Sequence, residues 1–193
     1  RGLWPELLQE LLDEGEVTPE EAATHEKLML AGVVGSIDND LVGTDMTVGA
    51  DSALHRIIEA VDAIQATAAS HQRTFIIEVM GRRCGYLALM SAVAGGCDYT
   101  FIPELPPAEG WEDDLADKLR RGRKNGRRDS LIVIAEGATD RAGNPISADD
   151  VRAAIKDRMD EDARITSLGH VQRGGAPSAY DRWMPTLLGY TAA

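Results

Sequence analysis

Apolar runs and amphipathic stretches alternate along most of the chain. Residues 2–13 place leucines on one helical stripe that ends at Gly15, and Thr18 with Glu21 forms a capping box for a second, short helix. Apolar runs of strand length follow at 28–34, 74–80, 99–104, 130–137 and 163–169. Helical patterns lie around them, at 47–70, 84–96, 111–122, 147–159 and 178–190.

The apolar runs are nearly continuous, as in strands that are buried on both faces. Strands that alternate with helices in this way pair in parallel through right-handed crossovers. The pattern therefore predicts an α/β fold with layered, Rossmann-like parallel sheets and flanking helices. The basic stretch 120–128 is predicted to be a loop.

Composition narrows the possible partners. The chain has 193 residues, and 20 Lys and Arg against 32 Asp and Glu give a net charge of -12, which argues against a nucleic-acid surface or an anionic membrane. No apolar run approaches the roughly 18 residues that span a bilayer. The two cysteines, Cys84 and Cys97, lack metal-ligand spacing and are predicted to be free thiols in a reducing, cytoplasmic location.

The sequence GSIDND, residues 35–40, directly follows the first apolar run. An Asp-Asn-Asp cluster is most often a turn, because short polar side chains bond their own backbone. In a parallel α/β fold, however, ligands bind beyond the carboxyl ends of the strands. A carboxylate at that edge could act as a general base in phosphoryl transfer, and Asp38 is a better candidate than Asp40.

Other polar residues follow the later strands, and each has two interpretations. Arg82 could cap a helix or bind phosphate oxygens with its guanidinium. His170 could be a structural histidine, whereas Arg173 beside a Gly-Gly pair suits an anion nest. Glu136 could accept hydrogen bonds from sugar hydroxyls or cap a helix.

Arg73 and Arg164 begin strands, so they lie at the sheet edge opposite the predicted site. Within one subunit they could not reach that site. They serve surface solubility unless an oligomer presents this edge to a neighbouring subunit. The sequence has no GxxxxGK[ST] loop, zinc-type spacing or GxSxG elbow.

A family resemblance rests on ordered blocks: GSIDND, GTDMTVGADSALHR, SHQRTFIIEVMGRRCGYLAL, GGCDYTFIPE, AEGA and TSLGHVQRGGAPSAYDR. Together they resemble the eukaryotic-type ATP-dependent 6-phosphofructokinases over nearly the whole chain. The resemblance implies transfer of the ATP γ-phosphoryl group to the 1-hydroxyl of fructose 6-phosphate, in glycolysis. ATP is then a co-substrate, and Gly35 favours ATP over pyrophosphate because pyrophosphate-dependent relatives tend to carry lysine there.

The resemblance also implies roles for individual residues. Asp38 matches the proton acceptor, and Asp40 lies near the metal and phosphates. Mg²⁺ is implied as the metal, with its ligand expected outside this chain. The implied substrate-binding residues are Ser36, Ile37, Asp38, Met80, Gly81, Arg82, Glu136, His170, Val171, Gln172 and Arg173 from one subunit, with Arg73 and Arg164 from a neighbour.

The resemblance further implies a two-lobed arrangement. Residues 1–47 would finish a nucleotide-binding lobe, 48–170 would form a sugar-phosphate lobe, and 171–193 would return to the first. The chain keeps both aspartates of the acid cluster, which the family's regulatory half has lost, so it is expected to be part of the catalytic half. The family's glycine-rich nucleotide turn has no counterpart in the sequence, and the chain is therefore expected to be inactive alone. The implied assembly is a homo- or hetero-oligomer with shared sites. The alternative is a non-catalytic sugar-phosphate-binding or assembly module.

Overall fold

The computed structural model describes residues 2–193, which form seven α-helices and six strands. The helices are α1 (Trp4–Asp13), α2 (Pro19–Thr24), α3 (Ala50–His71), α4 (Tyr86–Ala94), α5 (Trp111–Lys124), α6 (Ala148–Met159) and α7 (Tyr180–Ala192). The strands are β1 (Gly35–Ser36), β2 (Val48–Gly49), β3 (Thr74–Val79), β4 (Tyr99–Phe101), β5 (Ser130–Ala135) and β6 (Arg164–Ser167). A 3₁₀ turn (Gly169–Arg173) follows β6.

The main sheet has four parallel strands in the order β4-β5-β3-β6. Alternate residues of the central strands face opposite sides, so each face of the sheet carries its own apolar cluster. One cluster packs α5 and α6 on the sheet, and the other packs α3 and α4. The predicted α/β fold with parallel strands and flanking helices is confirmed.

The first predicted strand is wrong. Residues 28–34 form no strand; only β1, which begins at Gly35, pairs in parallel with β2. Met29 is 84% exposed and Leu30 is 61% exposed. A strand needs backbone partners along its length, and among residues 2–193 this run has only one such bond, from the Val48 N–H to the Val34 carbonyl at 3.0 Å.

Two further boundaries differ from the pattern. The basic stretch 120–128, predicted as a loop, is partly helical, since α5 continues to Lys124. Positive charges in the last turn stabilise a helix through its dipole. The third apolar run yields only a short strand, β4, before Pro103.

The predicted capping box of α2 and the predicted free thiols are both confirmed. Among residues 2–193, no helix is both long and apolar enough to cross a bilayer.

The start of α3 is capped by a residue far along the chain. Asp181, which is buried in α7, accepts hydrogen bonds from the backbone N–H groups of Gly49 and Ser52, each at 2.8 Å. These donors would otherwise be unsatisfied, because Gly49 has no side chain to cap the helix. The contact fixes the C-terminal helix against the segment that leads from β2 into α3. The predicted three-part division of the chain stays a prediction.

Candidate functional site

The segment 36–40 is a turn built around a buried threonine. Thr47 donates its hydroxyl to the Ser36 carbonyl at 2.6 Å, and its N–H bonds Asn39 Oδ1 at 2.9 Å. Asn39 adopts a positive φ of 55°, which asparagine tolerates better than most residues. Ser36 Oγ accepts from the Asp38 N–H at 3.2 Å and donates to Asp40 at 3.3 Å. The turn interpretation therefore holds for the backbone of the cluster.

The two aspartates of this turn differ in environment. Asp40 is exposed, whereas Asp38 is only 5% exposed. Asp38 Oδ2 lies 3.3 Å from Arg82 Nε, and Asp38 Oδ1 is buried without a hydrogen-bond partner among the described residues. A buried carboxylate oxygen with no donor is costly and suits a group that meets a ligand or accepts a proton.

Burial raises the pKa of the Asp38 carboxyl above its ordinary value, and the nearby negative charge of Asp40 raises it further. The positive charges of Arg82 and Arg173 act in the opposite direction. The two arginines therefore favour the ionised form, which is the form that can accept a proton.

The turn 80–82 follows β3 and is organised by Glu136, the first residue after β5. Glu136 Oε1 accepts from the N–H groups of Gly81 at 3.2 Å and Arg82 at 2.7 Å. Gly137 allows a close approach, because a Cβ there would lie 1.9 Å from the Arg82 carbonyl oxygen. Glu136 Oε2 makes no hydrogen bond within residues 2–193, so that oxygen remains available to a ligand.

The 3₁₀ turn after β6 joins the same site from the other side. Its residues His170, Val171 and Arg173 are exposed, whereas Gln172 is 2% exposed. Gln172 Oε1 accepts the Met80 N–H at 2.8 Å. The turns after β3, β5 and β6 are therefore connected directly by hydrogen bonds.

The glycine pair that follows Arg173 packs on an arginine that the pattern did not indicate. Gly175 has a φ of +86°, and a Cβ there would lie 2.6 Å from Arg56 Nε. Arg56, on α3, also donates to the Ala176 carbonyl at 3.2 Å. The backbone after the 3₁₀ turn therefore follows the guanidinium closely.

Two predicted site residues lie elsewhere. Arg164 is the first residue of β6 and pairs in register with Phe75, while Arg73 directly precedes β3. Both are exposed at the amino-terminal edge of the sheet, opposite the turns just described. Arg164 makes a surface ion pair with Asp162 at 3.2 Å. The structure does not bring these arginines to Asp38 within one chain.

Together these features define a class of protein: a layered α/β protein with a buried carboxylate beside arginine-bearing turns at the carboxyl ends of its strands. Such an arrangement suits a ligand with phosphate groups. The chain belongs to the phosphofructokinase family, whose family model matches residues 9–193.

Similar proteins of known name support this assignment. The whole chain is 55% identical to the human liver-type ATP-dependent 6-phosphofructokinase and 54% identical to the muscle type of Macaca fascicularis, over 192 residues in each case. The chain spans about a quarter of the length of these curated relatives, since it covers 25% of each. The predicted resemblance to the eukaryotic type is confirmed.

Solved structures agree with the fold. Phosphofructokinase from Saccharomyces cerevisiae matches the whole chain with a TM-score of 0.92 at 48% identity, and the match covers 25% of that chain. The T-state enzyme from Pichia pastoris matches 91% of the chain and 19% of its own, with a TM-score of 0.83 at 53% identity. A pyrophosphate-dependent phosphofructokinase from Nitrosospira multiformis shares the fold at 22% identity, with a TM-score of 0.71 over 83% of this chain and 42% of its own.

Sequence reasoning missed several residues that hold the site together. Arg56 and Asp181 contact residues 120 and 132 positions away, and Thr47 bonds residues 8 and 11 positions earlier, so no local pattern indicates them. Glu104 is another: both of its carboxylate oxygens accept the Gly85 N–H, at 2.7 and 2.9 Å, where α4 begins. The Gly-Gly pair was the one available signal, because glycines allow close packing of the kind seen with Arg56.

Proposed function

We propose that the intact protein containing this chain phosphorylates fructose 6-phosphate to fructose 1,6-bisphosphate with ATP, in glycolysis. The observation that carries the proposal is Asp38, a buried carboxylate with one unpaired oxygen beside Arg82, in a chain 55% identical to proteins named ATP-dependent 6-phosphofructokinase. This chain supplies the general base and most of the sugar-phosphate site.

In this proposal Asp38 accepts the proton of the sugar 1-hydroxyl as that oxygen attacks the γ-phosphorus of ATP. Phosphoryl transfer depends mainly on positioning and on charge stabilisation. The exposed guanidinium of Arg82 can meet the negative charge that spreads over the transferred group. Ser36 and Ile37 shape the turn that presents Asp38, and Ile37 packs against the apolar cluster under α3 and α4.

The sugar phosphate is held by the remaining turns. Met80 and Gly81 place the backbone beside Arg82, and Glu136 Oε2 can accept hydrogen bonds from sugar hydroxyls. His170 and Arg173 bind the 6-phosphate, and Val171 and Gln172 belong to the same turn. Arg73 and Arg164 complete the site of a neighbouring subunit, so the active form is a homo- or hetero-oligomer.

Mg²⁺ belongs to the proposal as the partner of ATP, where it would supply positive charge at the phosphates. Protein sites for Mg²⁺ often use only one or two carboxylates together with water and substrate phosphates. Within residues 2–193 no three potential ligands cluster, but Asp40 is exposed and fits the role of a single carboxylate near the metal. The other ligand is expected outside this chain.

The same proposal includes the cellular setting. We expect a cytoplasmic protein that needs neither nucleic acid nor a membrane, because two free thiols and a net charge of -12 favour that setting. The lobes at 1–47, 48–170 and 171–193 are part of the proposal as well.

Replacement of Asp38 by serine in the intact protein tests the role of the base. We expect kcat to fall by at least ~10², because general bases contribute that much, while the affinity for fructose 6-phosphate stays within a few-fold. Asp45→Ser removes an exposed aspartate from the same loop and should leave kcat unchanged. Normal turnover by the Asp38→Ser protein would refute the assignment.

The second candidate function is a non-catalytic sugar-phosphate-binding or assembly module. It is favoured by the exposed turn that carries His170 and Arg173, which needs no base to bind a phosphate. Binding of fructose 6-phosphate by the intact protein without any turnover would select it over the kinase.

A further inference from the structure

Gln172 differs from its neighbours in the 3₁₀ turn. His170, Val171 and Arg173 are exposed and can contact a ligand from solvent. Gln172 is only 2% exposed, so its side chain is buried. A buried polar side chain is retained only if it satisfies a partner. Its position therefore indicates a role within the protein scaffold.

The partner of Gln172 is the backbone of the neighbouring turn. The β3 ladder ends at Val79, where the Val79 carbonyl accepts the Glu136 N–H at 2.9 Å. The next N–H, that of Met80, has no strand acceptor, and Gln172 Oε1 takes it at 2.8 Å. The side chain thus continues the hydrogen bonding of the sheet for one residue beyond the strand.

This bond lies between two parts of the site. On one side, the 3₁₀ turn carries His170 and Arg173. On the other, Met80 leads into Gly81 and Arg82, and Arg82 Nε lies 3.3 Å from Asp38. A change at Met80 would therefore move the arginine that faces the general base.

We propose that Gln172 is a positioning residue that acts through the Met80 N–H and sets the turn 80–82 relative to the 3₁₀ turn, without touching the sugar phosphate. The inference rests on the proposed function, because it assigns Gln172 a role in that same site. In this inference Gln172 contacts the backbone of the protein and not the substrate.

The amide nitrogen of Gln172 guides the choice of variants. Nε2 is buried and has no hydrogen-bond partner among residues 2–193, so the described contacts use only the acceptor oxygen. Gln172→Glu keeps a carbonyl acceptor at the same reach, and burial favours its uncharged, protonated form, which should preserve the bond. Gln172→Met keeps the length of the side chain but removes the acceptor. Gln172→Asn keeps an acceptor, but its side chain is one methylene shorter and does not reach the Met80 N–H.

The first measurement is hydrogen exchange of the Met80 amide in the intact protein without substrate. We expect exchange to become at least about tenfold faster in Gln172→Met and Gln172→Asn, because the buried N–H loses its acceptor. Gln172→Glu should retain slow exchange. Gln65→Met, at an exposed glutamine of α3, should change nothing. If Gln172→Met does not fold, Gln172→Asn carries the comparison.

The second measurement is kinetic. We expect kcat to fall by roughly 10-fold to 10²-fold in Gln172→Met and to recover in Gln172→Glu, since small misplacements of catalytic groups cost rates of this order. A higher KM for fructose 6-phosphate, with kcat and Met80 exchange unchanged, would show direct substrate contact and overturn the proposal. Unchanged kinetics would overturn it too. The exchange measurement needs no turnover, so its failure is separate from a failure of the proposed kinase activity.

Discussion

Arg82 Nε lies 3.3 Å from Asp38 Oδ2, and the two partners differ sharply in exposure: the Arg82 side chain is 71% exposed and that of Asp38 is 7% exposed. Water screens the guanidinium, so the pair is worth less than a fully buried one. Burial accordingly remains the larger influence and raises the pKa of Asp38, while Arg82 only lowers it in part. The exposed side of Arg82 also remains free for an anionic ligand.

Removal of the Arg82 charge should change the pH dependence of the reaction. In Arg82→Gln the opposing positive charge is lost, so the pKa of Asp38 rises further. Asp38 must be ionised to accept a proton, and the acid limb of kcat should therefore move to higher pH. We also expect kcat at its optimum to fall by about 10²-fold, the effect of losing one donor to the transition state.

The matched control for this change is Arg83→Gln. Arg83 is the adjacent exposed arginine and forms no ion pair within the described part of the chain. Arg83→Gln should leave the acid limb of kcat at the same pH. Equal shifts in both variants would mean that general surface charge, and not the contact with Asp38, sets the pH profile.

The sequence predicted the main sheet because its strands are buried. β5 is buried at every residue and β3 at most of them, so a continuous apolar run identified them. The same rule failed at 28–34, where most apolar side chains are exposed and a single backbone hydrogen bond, at Val34, joins the run to β2. Apolar pattern reports a tendency toward burial, whereas a strand also requires a neighbour that hydrogen-bonds to it.

Parallel topology likewise predicted part of the site. It placed Asp38, Arg82 and Glu136 at one edge of the fold, and their contacts show that they meet there. The internal supports could not be predicted, because each joins residues distant in the chain. Gln172 reaches Met80 across 92 positions and Asp181 reaches Gly49 across 132, and neither has a local signature.

Loss of the Asp181 carboxylate should loosen the start of α3. Asp181→Ala leaves the Gly49 and Ser52 N–H groups without their acceptor, and we expect a destabilisation of about 2–4 kcal/mol, as for a lost helix cap with charged hydrogen bonds. The thermal midpoint and the hydrogen exchange of these two amides measure the effect. Asp62→Ala removes an exposed acid from α3 and should change neither the thermal midpoint nor the exchange of the two amides. Slow exchange of both amides in Asp181→Ala would contradict the capping role.

An alanine at position 175 should weaken sugar-phosphate binding. Gly175→Ala must accept a left-handed φ and place its Cβ 2.6 Å from Arg56 Nε, which shifts the loop after Arg173. Gly143→Ala is a matched control: its φ of +85° gives nearly the same backbone strain, but nothing lies within 4 Å of the added Cβ. Both variants should lose about 1–2 kcal/mol of stability from the left-handed backbone. Only Gly175→Ala should raise the Kd for fructose 6-phosphate, and equal Kd values in a binding titration would refute the contact.

The proposed sharing of Arg164 between subunits can be tested, because Arg164 begins β6 and lies at the edge of the sheet opposite Asp38 of its own chain. Arg164→Ala should raise the KM for fructose 6-phosphate by about tenfold or more, the value of a lost charged hydrogen bond, without changing the thermal midpoint. Arg152→Ala is the control, because Arg152 also forms a surface ion pair, with Asp149, and should leave KM unchanged.

Mixed oligomers test the sharing directly. A subunit with Asp38→Ser retains a native Arg164, and a subunit with Arg164→Ala retains a native Asp38. If the site is shared, co-assembly of the two variants creates some sites in which both residues are native, and activity at low fructose 6-phosphate should exceed that of either variant alone. If each subunit held a complete site, no mixture could restore one. Activity equal to the average of the two separate variants would therefore exclude a contribution of Arg164 to a neighbour.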